Sequence, residues 1–592
     1  MCGIFGYVGT RPDGAQIVLQ GLKTLEYRGY DSWGIAVGTT VSATNTIVVK
    51  KKAGKIGEAN VSDMPKSSFA FGHTRWATHG GVTDVNAHPH LDCSGKIAII
   101  HNGILENYEE IKKTLLKKGH KFVSQTDTEV AVHLIEEYAR TMMFSKAVQR
   151  AFNEMEGLNA FIVMNTANHQ FVAVRNGSPL VVGFADGENY LASDAAALLP
   201  HTKQVHFLED DEMALVSARG VMIFNARTGD RVKPKKQQLT WSVAQAEKGN
   251  YPYFMLKEIH EQPGVIADVA ADNADHARKL AMAIKDATGT YLVGCGTAAY
   301  ACLAGTYIFS KVARRHVNWA IGSEFGYHLD FLNNKSLVIA LSQSGETIDL
   351  LEAVRKAKAK GAQLAALTNV LGSSLYREAA YTLIIGAGPE KGVASTKAFT
   401  GKIAHLVLLA YALNGKVKEG QAVVTQAAKA SKAVLAAGYV SKIQRLAKRL
   451  KDSRHVYVIG RGLSYPAALE IALKIKEISY IHAEGFAAGE LKHGPLALVE
   501  KGTACIALLP NDETYGANLA GAMEMKARGG FVIGISHKNH EVFDVWLPVP
   551  DAGVATIIPN VIVGQLLAYY LTIARGFDPD MPRNLAKSVT VK

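Results

Sequence analysis

Apolar and polar residues follow two different rhythms along this chain. Up to about residue 238, short β-rich runs such as Lys96–Ile100, Ala160–Met164 and Phe171–Val174 sit between Gly and Asn turns. Helical spacing interrupts them at Ala15–Leu25, and at Glu106–Lys118 with Glu129–Tyr138 after it. Strands in runs with few helices predict an α+β sandwich. From Gln238 to Tyr253 the chain turns polar and reads as a linker. Beyond it, apolar strand, glycine turn and helix alternate, the pattern of a doubly wound parallel sheet. The longest apolar stretch, Ile557–Ala574, is interrupted by Pro559, Asn560, Gln565 and Thr572. It predicts a buried helix of about four turns rather than a membrane span.

The second region repeats itself. Tyr291–Gly296 (YLVGCG) matches Tyr457–Gly462 (YVIGRG) at an offset of 166 residues, and Ile339–Thr347 matches Ile506–Thr514 at 167. Ala359-Lys-Gly361 matches Ala527-Arg-Gly529 at 168. Three strand-and-turn matches in one order at a nearly constant offset predict two homologous α/β subdomains, joined by the basic helical stretch near 421–453.

Composition narrows the picture. The chain has 592 residues, enough for about four domains or three larger ones. Apolar residues make up 48% and charged residues 20%, an ordinary globular profile, and 54 Gly with only 17 Pro argues against disorder. The net charge of +12 is spread without runs, which suits an enzyme of anionic metabolites better than a nucleic-acid protein. The cysteines, Cys2, Cys93, Cys295, Cys302 and Cys505, are scattered and contain no C-x-x-C pair. They predict a reducing compartment and neither a disulfide framework nor a zinc knuckle. The start, MCGIFGYVG, has neither the basic region nor the long apolar core of a signal peptide. Together these predict a cytoplasmic protein.

Cys2 follows the initiator Met directly. Removal of Met1 would leave a thiol and a free α-amine on one residue, and the amine could take the thiol proton. Cys2-Gly3-Ile4 is joined by Tyr27–Asp31 (YRGYD), His73–Gly80 (HTRWATHG), Asn86–His90 (NAHPH), His101-Asn-Gly103 and Thr126–Glu129 (TDTE). In this order, over some 240 residues, the set resembles the class II glutamine amidotransferase domain, an N-terminal nucleophile sandwich with a catalytic Cys at its start. The resemblance implies that Arg28, Arg75, Trp76, Thr78, His79 and Asp127 bind glutamine. Arg75 suits its carboxylate and Asp127 its ammonium. It also implies that the Asn102 side chain and the Gly103 N–H hold the oxyanion. Taken alone, Arg75 could equally form a surface ion pair and Asn102-Gly103 a hairpin turn. His73, His79, His88, His90 and His101 lack the i,i+4 spacing of a zincin and any Cys partner, so no metal site is expected.

In the second region, the strand Ser336–Leu341 runs into Ser342-Gln-Ser-Gly-Glu-Thr347 at the start of a helix. Hydroxyls of Ser342, Ser344 and Thr347 around Gly345 suit a phosphate at a helix N-terminus, although Ser344 could simply cap the helix. The second repeat has Leu509-Pro-Asn-Asp there, and no phosphate site is assigned to it. Glu470, Lys474 and Glu477 fall at i, i+4 and i+7 and share a helix face, which by itself could be a solvated salt-bridge stripe.

This block resembles the sugar isomerase (SIS) fold that binds phosphosugars. With Cys295-Gly-Thr297, Gly392–Lys397, Lys474–Tyr480, Glu490–Pro495 and the tail Pro582–Thr590, the whole chain resembles the family of glutamine-dependent fructose-6-phosphate aminotransferases. The resemblance implies glutamine and fructose 6-phosphate as substrates, glucosamine 6-phosphate and glutamate as products, and ammonia passed between domains with Trp76 and the tail as gates. It implies no cofactor, no metal, no nucleic-acid or membrane partner, and a homodimer or higher homo-oligomer. Glu477 becomes the acid/base between C1 and C2, and Lys474 a charge partner. His493 opens the sugar ring, reaching its site from a neighbouring subunit. Lys587 is the Schiff-base lysine, with Lys592 an alternative. Thr297, Ser342, Gln343, Ser344, Thr347, Val393, Ser395 and Ala586 contact the sugar phosphate. Two positions depart from the family pattern, Trp33 and Ala298, where small residues and Ser are common.

The expected order is therefore an amidotransferase at 2–238, a linker at 239–253, a first SIS subdomain at 254–420, a helical connector at 421–453, a second SIS subdomain at 454–580 and a catalytic tail at 581–592. Two other functions fit parts of this. A different class II amidotransferase would need a PRPP-type loop or an adenylating domain. A non-catalytic phosphosugar sensor would be expected to lose Cys2, Glu477 or Lys587, and all three are present.

Overall fold

A computed structural model describes residues 2–41, 44–167, 169–239, 241, 245 and 247–589. The chain forms two compact units, one running to Glu247 and taking in the segment from Ala586, the other Lys248–Leu585.

The first unit is built on two antiparallel sheets, of eight and seven strands. Gly3–Val8 lies inside the first, between Glu188–Ala192 and Phe69–Arg75. Ile97–Gly103 pairs with Asn159–Asn165 inside the second. Alternation along the strands builds the layers. Ile4, Phe71, Ile100, Ile162 and Phe171 meet in one core where the sheets face each other. Their neighbours Phe5, Tyr7, Ile35 and Val37 turn the other way, onto Val18 and Leu22 of the helix Gly14–Leu25. Ile99, Phe161, Val163 and Val172 pack on Val130 and Leu134 of the helix Asp127–Ala139 and Phe152 of the helix Phe144–Glu154. The sandwich expected from the strand runs is thus a four-layer αββα arrangement. Phe144–Glu154 is a helix the sequence reading did not single out.

The second unit holds two five-stranded parallel sheets. In chain order both run second, first, third, fourth, fifth. The first sheet is Asn318–Ile321, Gly289–Gly294, Ser336–Ser342, Gln363–Thr368 and Tyr381–Ile384. The other is His482–Ala487, His455–Gly460, Ala504–Leu509, Phe531–Ser536 and Val545–Pro548. The internal repeat is therefore a repeat of topology as well as of sequence. Helices Val417–Val434 and Ala437–Leu450 lie between the two halves in the chain. Ile557–Ala574 is a single helix, long and apolar enough to cross a membrane, with Ile557–Tyr569, Leu571 and Thr572 buried in the core. It packs on the helix Ser464–Ser479. Pro559 falls in its first turn, where the missing N–H costs nothing.

Candidate functional site

Cys2 precedes the first strand, and the Gly3–Thr74 pairing brings it to the end of Phe69–Arg75. Its Sγ accepts the Trp76 N–H at 3.1 Å. Burial pushes the thiol up, opposed by the Trp76 backbone contact and the Arg75 and Arg28 guanidiniums. Arg28 donates to the Cys2 carbonyl at 3.2 Å and pairs with Asp194 at 3.2 Å, which also accepts the Tyr27 hydroxyl at 2.6 Å. Arg28 is therefore a brace for the Cys2 backbone.

Asn102 is buried at the end of Ile97–Gly103. Its Nδ2 donates to the Cys2 carbonyl at 3.0 Å, and its Oδ1 lies 3.1 Å from His73 Nε2. Burial pulls His73 down to about 3, so the ring is neutral at physiological pH. Nε2 also faces the His101 carbonyl at 3.0 Å, a pure acceptor, so this nitrogen carries the proton. That fixes the amide's orientation, with its N–H groups on the Cys2 side. Gly103 has φ of +135°, and a Cβ there would lie 2.2 Å from the Leu158 carbonyl. Only glycine fits there.

Arg75 is buried, and its guanidinium donates to the carbonyls of Gly81 at 3.2 Å, Gly80 at 3.2 Å and His79. This draws the loop after Trp76 around the charge. Asp127 starts the helix Asp127–Ala139 and accepts the Leu105 N–H at 2.7 Å, while Thr126 caps that helix through the Glu129 N–H. Trp76 and His79 are half-buried and Thr78 is exposed. The remaining candidate histidines have protein partners. His88 stacks on His73 at 4.2 Å, His90 meets Thr126 Oγ1 at 3.0 Å, and His101 lies between Thr128 at 2.9 Å and Asn159 at 2.8 Å. Burial holds His88 and His90 well below their ordinary value.

In the second unit, the chain leaves the adjacent strands Gly289–Gly294 and Ser336–Ser342 in opposite senses, so a crevice opens at their carboxyl ends. Cys295-Gly-Thr297 and Ser342–Thr347 line that end. Ser342 Oγ accepts the Gly345 N–H at 2.9 Å and Ser344 Oγ accepts the Glu346 N–H at 3.2 Å. Gly345 has φ of +69°, and a Cβ there would lie 2.1 Å from Ser373 Oγ. Thr347 stands at the N-cap of the helix Ile348–Ala359 without a side-chain cap bond, and the Ser344 bond to the Glu346 N–H lies just before that helix, so the capping alternative for Ser344 stays open. Gln343, Ser344 and Thr347 are half-buried.

Lys474 is fully buried. Its Nζ donates to Glu477 Oε2 at 2.6 Å and to Thr297 Oγ1 at 3.0 Å, and pairs with Glu470 Oε1 at 3.4 Å. Burial would lower this ammonium, but Glu470 and Glu477 outweigh it and hold it raised. Burial pushes the Glu470 carboxyl up to about 7. The solvated-stripe alternative is overturned, since Glu470 and Lys474 are excluded from water and only Glu477 keeps 21% of its side chain exposed.

Sequence matches identify the lineage. The model of the glutamine amidotransferase domain matches residues 57–231, and that of the SIS domain matches 283–412 and 449–543. The glutamine–fructose-6-phosphate aminotransferases (isomerizing) of Thermococcus kodakarensis and Pyrococcus horikoshii are each 43% identical, over all of this chain and all of theirs. That of Thermus thermophilus is 41% identical over the same full coverage. The chain belongs to the glutamine–fructose-6-phosphate aminotransferase family. A solved C-terminal domain of glucosamine-fructose-6-phosphate aminotransferase from Francisella tularensis superposes on 57% of the chain and all of its own length, with a TM-score of 0.53 and 35% identity.

For an aminotransferase of this family, the structure brings Cys2, Arg28, Asn102 and Trp76 together, and separately Thr297, Glu470, Lys474 and Glu477. Val393 and Ser395 lie in a segment pinned by two carboxylates and a backbone carbonyl. Glu258 accepts the Gly392 N–H at 3.1 Å, Glu390 accepts the Thr396 N–H at 2.9 Å, and the Asp580 carbonyl accepts the Val393 N–H at 3.0 Å. The Asp580 carboxylate caps the helix Phe254–Asp272 at 2.7 and 2.8 Å. These acids were missed: Glu258 shares the buried side of its helix with Lys257 and Gln262, so no apolar pattern singles it out. His493 ends the exposed turn Glu490–His493, and no hydrogen bond joins it to Glu477 among the described residues. Ala586 and Lys587 group with the first unit, and Lys592 lies outside the described residues, as does Met1. Trp33 is absorbed into the core beneath the helix Gly14–Leu25, and Ala298 is buried in the first turn of Thr297–Ile308.

Proposed function

We propose that this protein releases ammonia from glutamine and uses it to convert fructose 6-phosphate into glucosamine 6-phosphate. Glutamine and water give glutamate and ammonia, and ammonia and the ketose give the amino sugar and water. The observation that carries the reading is the placement of Asn102. His73 fixes its amide with the N–H groups toward Cys2, next to a position only glycine can occupy. Attack of the Cys2 sulfur on the glutamine amide creates an oxyanion, and Asn102 with the Gly103 N–H supplies rigid donors for it. The raised thiol needs a base, and the α-amine exposed by loss of Met1 supplies one. Arg75, Asp127, Trp76, Thr78 and His79 are assigned to holding glutamine. Water would protonate free ammonia, so the scheme requires sheltered transfer.

In the second unit we assign the phosphate to Ser342, Gln343, Ser344 and Thr347 and the sugar to Thr297, Val393 and Ser395. Lys474 spends its three N–H groups on Glu470, Glu477 and Thr297. An ammonium so engaged is a poor nucleophile, which favours Lys587 for the imine with the C2 ketone. Glu477, the member of the cluster open to solvent, then moves the proton between C2 and C1. The exposed His493 suits ring opening on a neighbouring copy, and a cytoplasmic homodimer is part of the reading. A full-length match to one family favours it over other class II amidotransferases. Assay of glutamate and glucosamine 6-phosphate in wild type, Cys2→Ala and Lys587→Ala tests it. Cys2→Ala should lose glutamine hydrolysis but keep ammonia-dependent amination, and Lys587→Ala should lose amino-sugar formation. Sugar-phosphate binding without turnover in the wild type would favour the sensor.

A further inference from the structure

Away from the glutamine-handling residues, the first unit gathers four ligand-type side chains from three segments. Cys93 sits in the turn between His90–Leu91 and Ile97–Gly103, and His120 lies between the helices Tyr108–Lys117 and Asp127–Ala139. His133 and Glu136 are three residues apart on the latter helix and share a face. Cys93 Sγ is 3.5 Å from His133 Nδ1 and 3.8 Å from His120 Nδ1. Glu136 Oε2 is 3.0 Å from His133 Nδ1 and 3.2 Å from His120 Nδ1. All four ligand atoms lie within 4.8 Å of one another. With zinc–ligand bond lengths of about 2.0–2.3 Å, a tetrahedron has edges of about 3.3–3.6 Å, close to this set.

Hydrogen bonding alone explains the cluster poorly. Both Nδ1 atoms aim at one carboxylate oxygen, which already accepts the Cys93 N–H at 3.0 Å. His120 Nε2 in turn faces Glu137 Oε2 at 3.2 Å. For both nitrogens of His120 to donate, a fully buried ring would have to be a cation. A metal at the centre removes the conflict. The Nδ1 lone pair goes to the metal and Nε2–H goes to Glu137, the carboxylate–histidine–metal relay that fixes a ligand's tautomer. A thiolate and one carboxylate would also balance a divalent charge.

We propose that Cys93, His120, His133 and Glu136 form a structural binding site for a divalent transition metal, with Zn2+ the best match. The mixed S, N and O donor set suits a borderline-soft ion and disfavours Mg2+ and Ca2+, which take oxygen. Four protein ligands leave no open position for catalysis. The site clips the Cys93 turn and the segment before Asp127 to the helix on which Asp127 stands. Its spacing, one Cys, a distant His and a helical H-x-x-E, matches no linear metal motif, so sequence alone does not show it.

The test uses the full-length protein, stripped with a chelator and titrated with Zn2+ against a chromophoric competitor, with Co2+ as a spectroscopic probe. Wild type should bind one metal per chain, and the Co2+ form should show a thiolate-to-metal charge-transfer band. Cys93→Ser, at an exposed position, should lose that band and weaken binding at least about tenfold. Glu137→Gln should weaken it about 10–100-fold while keeping the band. Metal binding by wild type no tighter than by Cys93→Ser overturns the proposal. So does a Co2+ spectrum of the wild type without a thiolate band, a readout that does not depend on any variant folding.

Discussion

The two sugar isomerase halves share a sheet order but differ in the side chains at their loops and first helices. In the first, Ser342 and Ser344 turn hydroxyls and backbone toward the N-terminus of Ile348–Ala359. In the second, the equivalent loop is Leu509-Pro-Asn-Asp, and Asp512 Oδ1 accepts the Thr514 N–H at 2.8 Å and its hydroxyl at 2.6 Å. An internal carboxylate thus takes up the turn before Tyr515–Ala527. The helices after the first strands reverse the asymmetry. Thr297–Ile308 carries no charged residue, whereas Ser464–Ser479 carries Glu470, Lys474 and Glu477. The two helices meet where Thr297 Oγ1 takes a hydrogen bond from Lys474. In the reaction we propose, the first half would hold the anion and the second would move the proton, because one shared fold carries different side chains in its two copies.

The sharpest way to break that division is at Glu477. Glu477→Gln keeps shape and removes the proposed acid/base, so ammonia-dependent amino-sugar formation should fall about 10²–10⁴-fold while fructose 6-phosphate still binds. A fall of less than about threefold would move proton transfer elsewhere. The next contrast compares the loops. Each hydrogen bond to a charged phosphate contributes about 1.5–3 kcal/mol. Ser344→Ala should therefore raise the KM for fructose 6-phosphate about tenfold or more, and Asn511→Ala in the second loop should leave it within about twofold. Equal effects would mean that the halves are not specialised.

The smallest effect concerns Glu470. Its carboxyl sits at about 7 rather than 4.5 because it is buried, so the folded protein binds its proton more tightly than the unfolded chain. Its contribution to stability is fully present below pH 4.5 and is lost as pH rises through about 7. Asp580, pushed up to about 6 by burial, adds a decline of the same sign. Glu470→Gln should flatten part of the fall in thermal midpoint over that window. A profile as steep as wild type would remove Glu470 as a cause.

Much of this was legible in the sequence because it rests on local pattern. Offsets of 166 to 168 residues revealed the duplication, and the i, i+4, i+7 spacing placed Glu470, Lys474 and Glu477 on one face. What spacing could not supply was burial, which turns a surface stripe into a charge cluster. Contacts made across distant pairings were equally hidden. The His73–Asn102–Cys2 chain arises only when Phe69–Arg75 pairs beside Gly3–Val8 in one sheet and Ile97–Gly103 comes over it from the other. Glu258 and Glu390 act on backbone N–H groups in an irregular segment, and no periodicity marks such groups.

The central claim, that both units serve one reaction on one nitrogen atom, is tested most directly with amide-15N glutamine and fructose 6-phosphate in the presence of excess unlabelled ammonium. The account predicts glucosamine 6-phosphate carrying 15N at the level of the glutamine supplied. Amino sugar carrying only the unlabelled nitrogen, with 15N released to the medium, would contradict it.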